Sequence, residues 1–103
     1  MTELRLIEPL GARPLTAADF PLTFGGGGAA VRLPGAAEGE VLATLEHRDG
    51  GLALVPRAAD VSLGEGPLPG PAPFGHGAVA TFGGARLSLT REGGVDCLRV
   101  THS

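Results

Sequence analysis

The sequence predicts an all-β fold, a β-sandwich of about nine to eleven short, mostly antiparallel strands. Three observations predict it. The 103 residues include 18 Gly and 9 Pro spread along the whole length. An interior Pro costs a helix roughly 3 kcal/mol and a Gly about 1, so no window of about 15 residues can run as an unbroken helix. Apolar residues recur at a period of two in short runs, and paired glycines separate several of those runs at hairpin spacing. So much Gly and Pro without a repeat often marks low complexity. Here 43% of the residues are hydrophobic and the net charge is −3, so a folded core in one domain over 1–103 is expected.

In chain order, Met1 to Pro9 is the first strand, with Leu4 and Leu6 alternating against Arg5 and Ile7. Gly11 to Phe20 is read as a polar connection. Pro21 to Phe24 is a second short strand running into four glycines, Gly25 to Gly28, and Ala30 to Leu33 is a third, stopped by Pro34-Gly35. Ala36 to His47 fits a helix face through Val41, Leu42 and Leu45, and a strand through Val41, Ala43 and Leu45. The turn Arg48-Asp49-Gly50-Gly51 decides for strand, with Leu52 to Pro56 as the return arm of a hairpin. Val61 to Leu63 is a short strand and Gly64 to Pro73 a proline-punctuated loop. Ala78 to Phe82, Ala85 to Thr90 and Val95 to Val100 are three strands joined by turns at Gly83-Gly84 and Glu92-Gly93-Gly94.

Charge narrows the partners. All eight basic residues are scattered arginines, the four Phe do not interleave with them, and nucleic acid is therefore not an expected ligand. No apolar run approaches the length of a membrane span and no leader pattern is present. The single cysteine, Cys97, rules out an internal disulfide and points to a reducing, cytoplasmic setting.

No catalytic, cofactor or metal constellation emerges. A phosphate cradle at Gly25 to Gly28 would need a following helix with a Lys-Ser/Thr pair, and a strand follows instead. His47, His76, His102 and Cys97 do not fall at zinc-site spacings. Cys97 alternates with Asp96 and Leu98 and reads as a small core hydrophobe. Glu38 and Glu40 lie in a loop, and Asp19, Asp49 and Asp60 lie in turns, where carboxylates cap backbone donors. No enzyme activity, catalytic residue, cofactor or metal is expected.

The pieces FPLTFGGGGAAVRLPG, VLATLEHRDGGLALVP, DVSLGEGPLPG and FGHGAVATFGGARLSLT, over about Phe20 to Thr90, resemble the forkhead-associated (FHA) family. Gly75-His76-Gly77, the strand to Phe82, the Gly-Gly turn and Arg86 to Leu89 carry most of the likeness. The resemblance implies an FHA/SMAD-like sandwich whose members bind phosphothreonine peptides with loops at one end. It does not carry over the residues that do so. The family's Arg falls on Gly26, its Ser and His on Gly39 and Leu42, and its Asn on about Ala59. Arg32 lies several residues beyond the family's Arg, at a strand position. Hydrogen bonds to a charged group contribute about 1.5–3 kcal/mol each, so losing three forfeits on the order of 5 kcal/mol and takes a micromolar complex past millimolar.

The candidate binding loops are thus Gly25, Gly26, Gly27, Gly28, Gly39, Leu42 and Ala59, emptied of side-chain donors. The resemblance implies a phosphate-independent protein-interaction or structural module. An alternative is the N-terminal cytoplasmic regulatory domain of a larger bacterial protein, one that could be membrane-anchored, that retains weak phosphopeptide binding. A small-molecule site is disfavoured by four Phe with no Trp or Tyr. Strand edges are the expected contact surface for a protein partner, with Pro21, Pro34 and Pro56 as their expected guards.

Overall fold

The computed structural model describes residues 3–9, 11–33, 36–48 and 51–102, and it is all-β. The turns expected at Pro34-Gly35 and Asp49-Gly50 lie outside the described residues. The strands are β1 (Glu3–Glu8), β2 (Gly11–Leu15), β3 (Leu22–Gly25), β4 (Val31–Arg32), β5 (Val41–Arg48), β6 (Gly51–Pro56), β7 (Ser62–Leu63), β8 (Gly66–Pro67), β9 (Ala72–Pro73), β10 (Val79–Phe82), β11 (Ala85–Glu92) and β12 (Val95–His102). A 3-10 turn, Ala17–Asp19, links β2 to β3. One sheet runs β2-β1-β12-β11-β10-β7-β8 and the other β4-β3-β5-β6-β9. All pairings are antiparallel except β1 with β12 and β3 with β4. No helix among the described residues is long and apolar enough to cross a membrane.

The core lies between the two sheets and follows from the period of two. In β11, Ala85, Leu87 and Leu89 are buried while Arg86 and Thr90 are exposed. Their register partners Leu98 and Val100 on β12, and Ala80 and Phe82 on β10, turn to the same face. From the other sheet come Leu22, Phe24, Ala43, Leu45 and Leu54. Phe24 meets Phe82 edge to face, centroids 5.6 Å apart at 73°. The hairpins β10–β11 and β11–β12 close with two glycines each, at φ of +58° and +76° and of +59° and +81°. Two consecutive positive φ angles suit the strand twist of a two-residue hairpin, which is why Gly-Gly stands at both.

Several expectations need correction. Gly11 to Phe20 is more than a connection, since β2 pairs along β1 from Gly11 to Leu15. Only Leu15 of that strand is buried, so no alternation announced it. The loop Gly64 to Pro73 contains β8 and β9, two residues each, one in each sheet; with β2 they bring the strands to twelve. The guarding prolines also differ. Pro21 and Pro56 adjoin interior strands, whereas the edge strands β2, β8 and β9 carry Pro14, Pro67 and Pro73, which offer no N–H to a foreign strand. Pro34 lies outside the described residues.

The strand reading holds for β5, with one irregularity in its alternation. Gly25 pairs with Val41 and Phe24 with Ala43, so Leu42 is the extra residue of a bulge. Leu42 turns inward, 5% exposed, and Val41 is left outside at 36%. Beyond the bulge Thr44 faces outward between Thr23 and Val55, yet it is buried and its hydroxyl has no hydrogen-bond partner. A buried hydroxyl without a partner costs about 1–3 kcal/mol. Thr44→Val keeps the shape and is expected to raise stability by about 1 kcal/mol, or at least about 4 °C in Tm. An unchanged or lower Tm by calorimetry would mean that the hydroxyl is satisfied.

Candidate functional site

Gly26, Gly39 and Leu42, distant from Ala59 in sequence, come together at one end of the sandwich. The Gly26 N–H donates to the Glu40 carbonyl at 2.8 Å, and the Gly39 N–H donates to the Gly27 carbonyl at 3.1 Å. The segment 36–40 is thereby laced backbone to backbone onto the glycine run. The Arg57 N–H donates to the Leu42 carbonyl at 2.9 Å, bringing the Ala59 turn to the same end. The β10–β11 turn joins them, its Gly83 N–H donating to the Asp60 carboxylate at 3.2 Å.

The glycines are there because the approach leaves no room for side chains. A Cβ at Gly25 would stand 2.0 Å from the Glu40 carbonyl oxygen, and one at Gly26 only 1.7 Å from that of Ala37. One at Gly27 would meet the Glu38 side chain at 3.1 Å. Gly28, exposed at φ +94°, and Gly39, at φ +78°, have open space around them. Donors that could line an anion cradle are therefore partly spent inside the protein: Gly26 on Glu40, Ala29 on the Gly26 carbonyl, and Ala30 on the Thr23 hydroxyl at 2.8 Å. Leu42 fills apolar space, its Cδ1 2.4 Å from where a Gly83 Cβ would be, next to Leu33. Ala59 is exposed in its turn.

This end therefore offers backbone carbonyls, small apolar side chains and a rim of charge. Arg32, Glu38, Glu40 and Arg57 are exposed there. The Glu40 carboxylate turns back to accept the Ala37 N–H at 3.1 Å. A shallow open depression of about 280 Å³ lies elsewhere, lined by Glu8, Gly11, Ala12 and Arg13, without the aromatic walls of a small-molecule site.

The histidines and the cysteine are dispersed. His47 lies 5.8 Å from the Phe20 ring, and the His102 side chain lies outside the described residues. Among the described residues no three His, Cys, Asp or Glu side chains gather as a metal site requires. Cys97 is buried, 6% exposed, but outside the main core. It pairs with Arg5 and Thr90 on the outer face of its sheet, opposite in phase to Leu98, so polar neighbours bury it. Burial pushes the thiol pKa up, and the Glu92 carboxylate beside it adds to this. A thiol held protonated in this way is a poor nucleophile.

His76, in the Gly-His-Gly turn, is tied to the other end of the sandwich. Its Nε2 lies 2.8 Å from Asp96 Oδ1, and Arg91 Nε donates to the same oxygen at 3.0 Å. The sequence did not single out Asp96; only the β11–β12 register, which sets Arg91 opposite it, and the fold of the loop unite the three. Partial burial works against the Asp96 anion, but the hydrogen bonds and charges of Arg91 and His76 outweigh it and hold the pKa below the usual 3.8. A carboxylate with a lowered folded pKa contributes stability that is complete above the unfolded pKa and is lost as pH falls through the folded one. Asp96→Asn is accordingly expected to cost about 1 kcal/mol at pH 7, because Arg91 and His76 are half-exposed, and nothing once the wild-type carboxyl is protonated. Urea melts of both proteins from pH 7 to 2 check this, and parallel curves would contradict it.

No family model matches the chain, and no curated protein or solved structure matches it either.

Proposed function

We propose that this protein is a degenerate FHA-like domain acting as a phosphate-independent protein-interaction or structural module, cytoplasmic and without catalytic activity. The observation that carries the reading is at Gly26. Where the resembling family places its phosphate-holding Arg, a Cβ would stand 1.7 Å from the Ala37 carbonyl oxygen, so the backbone is built for the absence of a side chain. Further support comes from the position of Leu42, turned into apolar packing where the family keeps a His donor. The two-sheet sandwich with these loops at one end agrees with what the resemblance implies.

Titration of a phosphothreonine peptide library into labelled protein, followed by amide shifts, is expected to show no saturation up to about 1 mM. Saturable micromolar binding with shifts at Gly25 to Gly28 and Gly39 would overturn the reading. A second reading, weak phosphopeptide binding by an N-terminal regulatory domain of a larger bacterial protein, is favoured by Arg32 and Arg57, which have no ion-pair partner among the described residues. In that case binding is millimolar, and Arg32→Ala with Arg57→Ala removes it.

A further inference from the structure

Five of the eight arginines are held in ion pairs: Arg5 with Glu3, Arg13 with Asp19, Arg48 with Glu46, Arg91 with Asp96 and Arg99 with Glu92. Arg32, Arg57 and Arg86 have neither an ion pair nor a side-chain hydrogen bond among the described residues. Arg86 stands on β11 of the seven-stranded sheet, whereas Arg32 and Arg57 fall at one rim of the five-stranded sheet. Arg32 pairs with Gly25, and Gly25 pairs with Val41. Arg57 follows Val55 in the outward phase of β6 and reaches the Leu42 carbonyl through its N–H. Val41, one of two large hydrophobics left 36% exposed among the described residues, stands on β5 in register with Gly25, beside the Leu42 carbonyl that Arg57 reaches.

The same rim carries the opposite charge. Glu38 and Glu40 are exposed in the loop leading into Val41, and neither forms an ion pair among the described residues. The Glu40 carboxylate is turned onto the Ala37 N–H, and the Glu38 stem lies over Gly27. The rim thus carries an exposed Val41 and charged side chains of both signs that form no ion pair among the described residues.

A surface that carries its own complement is what a two-fold interface requires, because each element meets its counterpart across the axis. A purely acidic or purely basic partner would meet like charge on half of this rim. We infer that the rim of the five-stranded sheet around Val41 binds a second copy of this chain, with Val41 near the two-fold axis and Arg32 and Arg57 facing the Glu38 and Glu40 of the other copy. The inference rests on the reading of the chain as an interaction module and names its partner. Five strands span about 24 Å, so the buried surface belongs to the small, transient class and the dimer is weak, with Kd about 100 µM.

Sedimentation velocity of the whole chain from about 10 µM to 1 mM, at low and at high salt, tests this. The expected result is a sedimentation coefficient that rises with concentration, less steeply in salt. Val41→Asp, the pair Arg32→Glu with Arg57→Glu, and the pair Glu38→Arg with Glu40→Arg are each expected to raise Kd at least about tenfold while far-UV circular dichroism stays unchanged. Mixing the two charge-reversed proteins is expected to restore association as a heterodimer. A wild type that stays monomeric to 1 mM overturns the inference, as does a dimer that Val41→Asp and both reversals leave intact. The phosphopeptide titration decides the module reading separately, since it is read at Gly25 to Gly28 and does not depend on self-association.

Discussion

Gly26→Arg is expected to destabilise the protein by about 3 kcal/mol or more and to bring no affinity for phosphothreonine. The cause is the 1.7 Å separation between a Cβ at this position and the Ala37 carbonyl oxygen, with the Ala37 carbonyl carbon at 2.5 Å. These are backbone atoms, so no rotamer change relieves the overlap. The 36–40 segment must lift, and with it go the Gly26-to-Glu40 and Gly39-to-Gly27 hydrogen bonds. Adding Leu42→His deepens the loss, because an imidazole then replaces an apolar side chain packed by Leu33 and Gly83. Domains of this size have only about 5–15 kcal/mol in hand. A urea midpoint lowered by at least about 1 M, with an unchanged slope, is the expected readout. A Gly26→Arg protein as stable as wild type would show that the loop yields freely and that the site was emptied by sequence change alone.

Phe24→Ala is expected to cost about 3–5 kcal/mol. Phe24 is fully buried, stands edge to face against Phe82 of the opposite sheet, and is one of only four aromatic residues in the chain. Beyond Phe24, Phe74 and Phe82 the buried core is Leu, Val and Ala, side chains too small to close a cavity of that size by shifting. Val79→Ala serves as the control. Val79 is exposed on the outer face of β10, and its truncation is expected to change stability by less than about 0.5 kcal/mol. Equal losses for the two variants in thermal melts would contradict the placement of Phe24 between the sheets.

The elements most legible in the sequence are those where a local rule and a tertiary need coincide. β10 and β11 alternate because one face packs on the core and the other on water, and glycine pairs mark the two-residue turns that join β10, β11 and β12. β2, β8 and β9 were illegible for the opposite reason. They are edge strands with few buried side chains, held by backbone pairing to a single neighbouring strand. Leu42 shows an intermediate case, since the bulge shifts the phase of burial by one residue and period-two counting cannot foresee it.

At the candidate site, the sequence by itself determined that Gly26, Gly39, Leu42 and Ala59 carry no side chain able to hold a phosphate. It determined the fold class as well, because Gly and Pro at such density leave no long helical window and the apolar runs between them alternate at a period of two. Only the tertiary structure decided why the glycines stand where they do. The Glu40 and Ala37 carbonyls approach Gly25 and Gly26 more closely than any Cβ permits, a contact between segments separated by a strand and two loops. It also decided that Cys97 lies under polar neighbours and that His76 and Arg91 meet on Asp96. Such facts depend on register between strands, which is set by the whole core at once and is written in no local stretch of chain.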